Sequence, residues 1–156
     1  MDFSNKKKLQ LEQIMPLICE SLEKGNDVKF FPRGTSMLPM LRQGRDCVVI
    51  SPIKKDIKKY DLPLYKRANG QYVLHRVVSS GDTFTCIGDN QFEVEKGVSR
   101  DQMIGVVTAF CREDREYRTD SVMYRMYCVL WHHSRTFRKG WRKVKRWLFC
   151  LKNARE

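Results

Sequence analysis

Apolar positions along the chain follow two rhythms. Between residues 8 and 24, Leu9, Leu11, Ile14, Met15, Leu17, Ile18 and Leu22 recur at helical spacing. This predicts an amphipathic helix with Pro16 as a kink or break. Gly25-Asn26-Asp27 ends it with a C-cap and a turn. The rhythm then shortens. Residues 28–31, 47–50, 62–66, 71–78, 83–87 and 103–110 read as short strands divided by turn residues. Asn69-Gly70 marks a hairpin between two of them. After a highly charged stretch at 112–120, helical spacing returns. Met123, Tyr127, Leu130, Phe137, Trp141, Val144, Leu148 and Leu151 would share one helical face.

The pattern predicts a mainly β fold with an N-terminal helix and a C-terminal basic amphipathic helix. It divides into a helix over residues 1–27, a β domain over 28–111 and an arm over 112–156. At 156 residues, 42% of them hydrophobic and 31% charged, the chain can bury one core. No apolar run approaches the roughly 18 residues needed to span a bilayer. The basic cluster Lys6-Lys7-Lys8 leads into a mixed polar segment, so no signal peptide is expected. The six cysteines are scattered, form no C-x-x-C pair and have no histidine at ligand spacing. They read as reduced thiols of a cytoplasmic chain, with no metal or cofactor implied.

Charge separates the arm from the rest. Residues 121–156 hold 10 of the 30 Lys and Arg residues, against the single acidic Glu156. Arg135, Arg138, Lys139, Arg142, Lys143, Lys145 and Arg146 would oppose the apolar face, and Trp131, Trp141 and Trp147 add interfacial aromatics. A basic amphipathic helix with tryptophans suits an anionic membrane surface. Trp141, Trp147, Arg142, Lys143 and Arg146 are the expected lipid contacts. Packing of the helix on the β domain is the other reading. No nucleic-acid motif accompanies the charge.

Three short segments carry candidate chemistry. Ser36 lies in Gly34-Thr35-Ser36-Met37-Leu38-Pro39, where glycine and proline shape a tight turn. Such a turn can expose a hydroxyl and aim backbone N–H groups at an oxyanion, or simply start a helix with Ser36 as its cap. His75 is the one histidine inside the β domain and sits between apolar residues. It is either a general base or a buried, hydrogen-bonded side chain. Asp89, in Gly88-Asp89-Asn90, is either an orienting acid or an ordinary turn residue.

Taken in order, Gly34-Thr35-Ser36-Met37-Leu38-Pro39, His75-Arg76-Val77 and Gly88-Asp89-Asn90 resemble the signal peptidase I family. That family belongs to the larger group of serine peptidases that includes the self-cleaving SOS repressors. The linking segments 41–50, 61–65 and 102–107 are similar too, so the resemblance covers roughly residues 28–110. A histidine before Arg76-Val77, in place of lysine, resembles the archaeal and endoplasmic-reticulum branch. The resemblance implies a signal-peptidase/SOS-repressor-protease-like β-fold and a serine endopeptidase. Ser36 would be the nucleophile, His75 the base and Asp89 the acid, with Glu95 the alternative acid six residues on. Met37 and Pro39 would help bind a peptide or precursor held as an extended strand. Two scaffold positions depart from the pattern, at Gly44-Arg45-Asp46 and Tyr60-Asp61. The family's usual N-terminal membrane helix has no counterpart in the pattern read here. The rival reading is a catalytically inactive peptidase-fold binding module that works through its basic arm.

Overall fold

The computed structural model describes residues 11–141 and Val144. Helix α1 spans Leu11–Glu23 and buries Met15, Ile18 and Leu22 on one stripe. It runs through Pro16 without the expected break. The proline ring is exposed, so its cost is one missing backbone hydrogen bond and no clash with the core.

Among the described residues nine strands and a second helix follow. They are β1 (Val28–Phe30), β2 (Asp46–Ser51), β3 (Pro63–Lys66), β4 (Tyr72–Leu74), β5 (Arg76–Ser80), β6 (Phe84–Ile87), β7 (Glu95–Val98), β8 (Met103–Arg112), β9 (Arg115–Arg118) and α2 (Val122–His133). All strand pairings are antiparallel. One sheet has the order β1-β2-β8-β3-β4, with β9 added to the far end of β8. The second has the order β5-β6-β7. The mainly β expectation therefore holds at the level of class, with β7 and β9 as additions. β9 places residues 115–118, expected in the arm, inside the first sheet.

Alternating burial along β8 shows why it is central. Met103, Gly105, Val107 and Ala109 point inward while the residues between them are half-buried. Glycine at 105 is dictated by packing. A Cβ there would lie 2.5 Å from Ile50 Cγ2 and 3.1 Å from Leu22 Cδ1. Its absence lets α1 close onto the sheet.

One core joins α1, the first sheet and α2 through Met15, Leu22, Val48, Leu64, Tyr124 and Cys128. A smaller one gathers Tyr65, Val77, Phe84, Cys86 and Met103 around the second sheet. The chain passes from the first sheet to the second between β4 and β5, and the single residue at that crossing is His75.

Candidate active site

Ser36 heads a turn over residues 36–40, not a regular helix, so the capping alternative drops out. The turn is tied by Leu38 N–H to the Thr35 carbonyl (3.2 Å) and Leu41 N–H to the Met37 carbonyl (2.9 Å). It is also clamped from outside. Asn90 N–H donates to the Ser36 carbonyl at 2.8 Å, and Asn90 Nδ2 donates to the Thr35 carbonyl at 3.1 Å. Gly88 is required for that approach, because a Cβ there would come within 2.7 Å of the Ser36 carbonyl oxygen. The Gly-Asp-Asn segment thus positions the serine turn through its glycine and asparagine.

Its aspartate is occupied elsewhere. Arg76 donates to both Asp89 oxygens, Nε to Oδ1 at 2.8 Å and Nη2 to Oδ2 at 2.7 Å. Both side chains are 2% exposed. The remaining Arg76 donors reach Tyr124 Oη (2.8 Å), the Tyr60 carbonyl (3.2 Å) and two sulfur atoms, Cys128 Sγ and Met40 Sδ. Asp89 is therefore placed as the partner of a buried arginine. The carboxylate joined to the imidazole is the alternative one, Glu95. Tyr65 Oη lies 3.3 Å from His75 Nδ1 and donates to Glu95 Oε2 at 2.8 Å. Glu95 Oε2 itself is 4.0 Å from Nδ1. Arg67 closes the row with Nε and Nη2 bonded to the Glu95 carboxylate at 2.7–3.0 Å.

Ser36 and His75 line the same cleft, about 290 Å³, with Phe30, Leu64, Tyr72 and Gln91 among the other walls. Phe30 lies on β1 and Tyr72 on β4, the two unpaired ends of the strand order β1-β2-β8-β3-β4. Among the described residues, the cleft is thus bordered by two strand edges with no further partner strand. Met37 reaches it from beneath but is 6% exposed and packs in the main core. Pro39 does not line it. It borders a separate apolar groove with Phe110, Tyr117 and Tyr124, because the turn carries the chain away after Met37.

Burial and the nearby Arg67 charge push the His75 imidazole down to about 4, against a smaller upward pull from Glu95 and Asp89. His75 is therefore neutral near pH 7, as a general base must be. Burial pushes the Glu95 carboxyl up, but hydrogen bonds from Arg67 and Tyr65 outweigh it and hold the group below its ordinary range. Burial and the bond to Glu95 push the Tyr65 phenol up, so it keeps its proton.

The low His75 value makes a stability prediction. In the unfolded chain the imidazole takes its proton near pH 6.5, but in the folded chain only near 4, so acid favours unfolding across that window. The loss should reach about 3 kcal/mol by pH 4. Thermal unfolding of wild type and His75→Gln between pH 7 and 4.5 checks this. The variant should lose distinctly less stability over that range, and parallel curves would refute the assignment.

Helix α2 packs over the Gly-Asp-Asn segment. Trp131 Nε1 donates to the Asp89 carbonyl at 2.8 Å, and Tyr127 Oη reaches Asp89 Oδ2 at 3.4 Å. Helix α2 is thus docked on the domain, and Tyr127 turns inward instead of joining an outer apolar face. The outer face remains apolar all the same. Met123 is 82% exposed, Leu130 68%, Phe137 75% and Trp141 55%. Of the expected lipid contacts, Trp147, Arg142, Lys143 and Arg146 lie outside the described residues. No helix among the described residues is long and apolar enough to cross a membrane.

Sequence reasoning missed Tyr65, Arg67 and Arg76 as members of this site. Arg76 adjoins His75 in the quoted motif, and its neighbours Val77 and Val78 gave a signal for burial. Tyr65 and Arg67 carried none. No family model, curated protein or solved structure matches this chain.

Proposed function

We propose that the protein is a serine endopeptidase that cleaves a peptide or precursor segment bound as an extended strand. The observation that carries this reading is the shared cleft. A turn-borne serine and a buried neutral histidine, 39 positions apart in the chain, line one opening bordered by free strand edges. The motif resemblance to signal peptidases supports the same chemistry. Among the described residues β4 pairs with β3 alone, so its outer backbone groups are available to a substrate strand.

The reaction follows from these parts. His75 takes the Ser36 hydroxyl proton as Oγ bonds to the substrate carbonyl carbon. The Ser36 backbone N–H stabilises the resulting oxyanion, a contribution worth about 3 kcal/mol per donor. His75 then returns the proton to the departing amine as the C–N bond breaks, leaving an acyl-enzyme. Water, deprotonated by the same imidazole, releases the acid and restores Ser36. Incubation with a diverse peptide pool, followed by mass spectrometry of the products, tests the reading. Cleavage at a recurrent small-residue context is expected. An intact pool, with peptides nevertheless retained by the protein, would favour the binding-module reading.

The outer face of α2 favours a second element of function, contact with an anionic membrane surface. An apolar stripe this exposed is unusual unless something covers it. The ten cations against one acid over residues 121–156 complement anionic headgroups. Co-sedimentation with phosphatidylserine vesicles should be strong and with phosphatidylcholine vesicles weak. The triple substitution Met123→Glu, Leu130→Glu, Phe137→Glu should abolish it. Wild-type protein left in the supernatant, or concentration-dependent dimers in light scattering, would overturn the lipid assignment.

A further inference from the structure

We infer that Tyr65 is a positioning residue that holds His75 with its proton on Nδ1 and its lone pair on Nε2. The inference deepens the peptidase reading, and its kinetic consequence rests on that reading. Its structural content rests on which groups of the row donate and which accept.

The Arg67 guanidinium can only donate. Its Nε and Nη2 address both oxygens of Glu95, which therefore faces them as an acceptor. Tyr65 Oη lies 2.8 Å from Glu95 Oε2 and 3.3 Å from His75 Nδ1. A phenol has one proton. A carboxylate accepting from arginine can offer none, so the phenol proton must go to Glu95, and the shorter distance lies on that side. Tyr65 Oη then has only lone pairs for Nδ1. The contact is a hydrogen bond only if Nδ1–H donates to it. A neutral imidazole carries one N–H, so Nε2 is bare.

Direction is therefore passed along the row from Arg67 to Glu95, to Tyr65, to His75. The phenol does what a carboxylate bonded directly to the ring does elsewhere, which is to select the tautomer whose far nitrogen can accept a proton. It also spans the 4.0 Å that separates Glu95 from the ring. Tyr65 has 0% exposure, so bulk solvent does not reach the phenol.

Nitrogen NMR of histidine-labelled protein at pH 7 tests this without any substrate, with His75 assigned by loss of its signals in His75→Gln. In wild type, Nδ1 should show the protonated pattern and Nε2 the bare one. The reverse pattern would overturn the inference. Tyr65→Phe removes one oxygen and keeps the ring. In that variant the Nε2–H form should become populated, and an unchanged tautomer would also overturn the inference. The wild-type spectrum decides even if the variant does not fold.

On a peptide that the wild type cleaves, Tyr65→Phe should lower kcat at least about tenfold and leave KM within about twofold. A change in KM alone would mean that the phenol shapes the binding cleft instead. If no peptide is cleaved, the endopeptidase reading fails while the tautomer result stands.

Discussion

Ser36→Ala is expected to remove peptide cleavage almost entirely, by about 10⁴-fold or more in kcat. The fold should survive unchanged. The turn at residues 36–40 is held by backbone bonds and by Asn90, which grips the Ser36 carbonyl and not its hydroxyl. Thermal midpoints of variant and wild type should therefore agree within about 1 °C. His75→Ala should cost about as much activity as Ser36→Ala, and the double substitution hardly more. In the proposed reaction nucleophile and base act as one unit, so removing either removes the shared step. Turnover on the best peptide from the pool measures all three. Additive losses would show that the two side chains work independently, and the reaction scheme would then be wrong. A module that only binds peptides predicts a different pattern: no turnover in wild type, and retention unaffected by either substitution.

The turn order and hydrophobic runs made most of the β domain legible, because strands with one buried face announce themselves by composition. β2 and β8 were visible as Val- and Ile-rich runs, and the Asn69-Gly70 turn gave the hairpin of β3 and β4. The missed strands lacked that signal for a physical reason. β9 reads Arg-Glu-Tyr-Arg with every residue exposed, and it exists only because β8 offers it a free edge. β7 buries just Val98 fully. His75 lay inside an apparently continuous strand at 71–78. The break between β4 and β5 was invisible there, since a chain that changes sheets keeps the same alternation of apolar residues. The site divided in a similar way. Local context singles out Ser36 and His75, and the fold sets both on one cleft. Which carboxylate lies beside the imidazole is not legible in that way, because local sequence is silent about which cation claims which carboxylate. Arg76 takes Asp89 and leaves Glu95 to the imidazole through Tyr65.

Arg76→Met should be the most destabilising single substitution in this region, costing about 3–5 kcal/mol. The reason is the charge left behind. Methionine fills similar volume, but Asp89 then stays buried with no cation, and Tyr124 and the Tyr60 carbonyl lose their donor. For a chain of this length that corresponds to a fall in thermal midpoint on the order of 10 °C. Adding Asp89→Leu should recover much of the loss, because an apolar pair avoids the stranded carboxylate. Denaturant unfolding of the two single variants and the double gives the coupling directly, and purely additive losses would contradict the pairing. Activity should not recover with stability. Asp89 sits between Gly88, which abuts the Ser36 carbonyl, and Asn90, which bonds it, while Trp131 of α2 holds the Asp89 carbonyl. The ion pair fastens this loop, so a double variant that folds well should still present a loosened serine turn. Its kcat should remain depressed at wild-type stability, because correct placement of the reacting groups can itself be worth orders of magnitude in rate. Full recovery of both properties would reduce the pair to a core filler, and it would release α2 from any part in shaping the site.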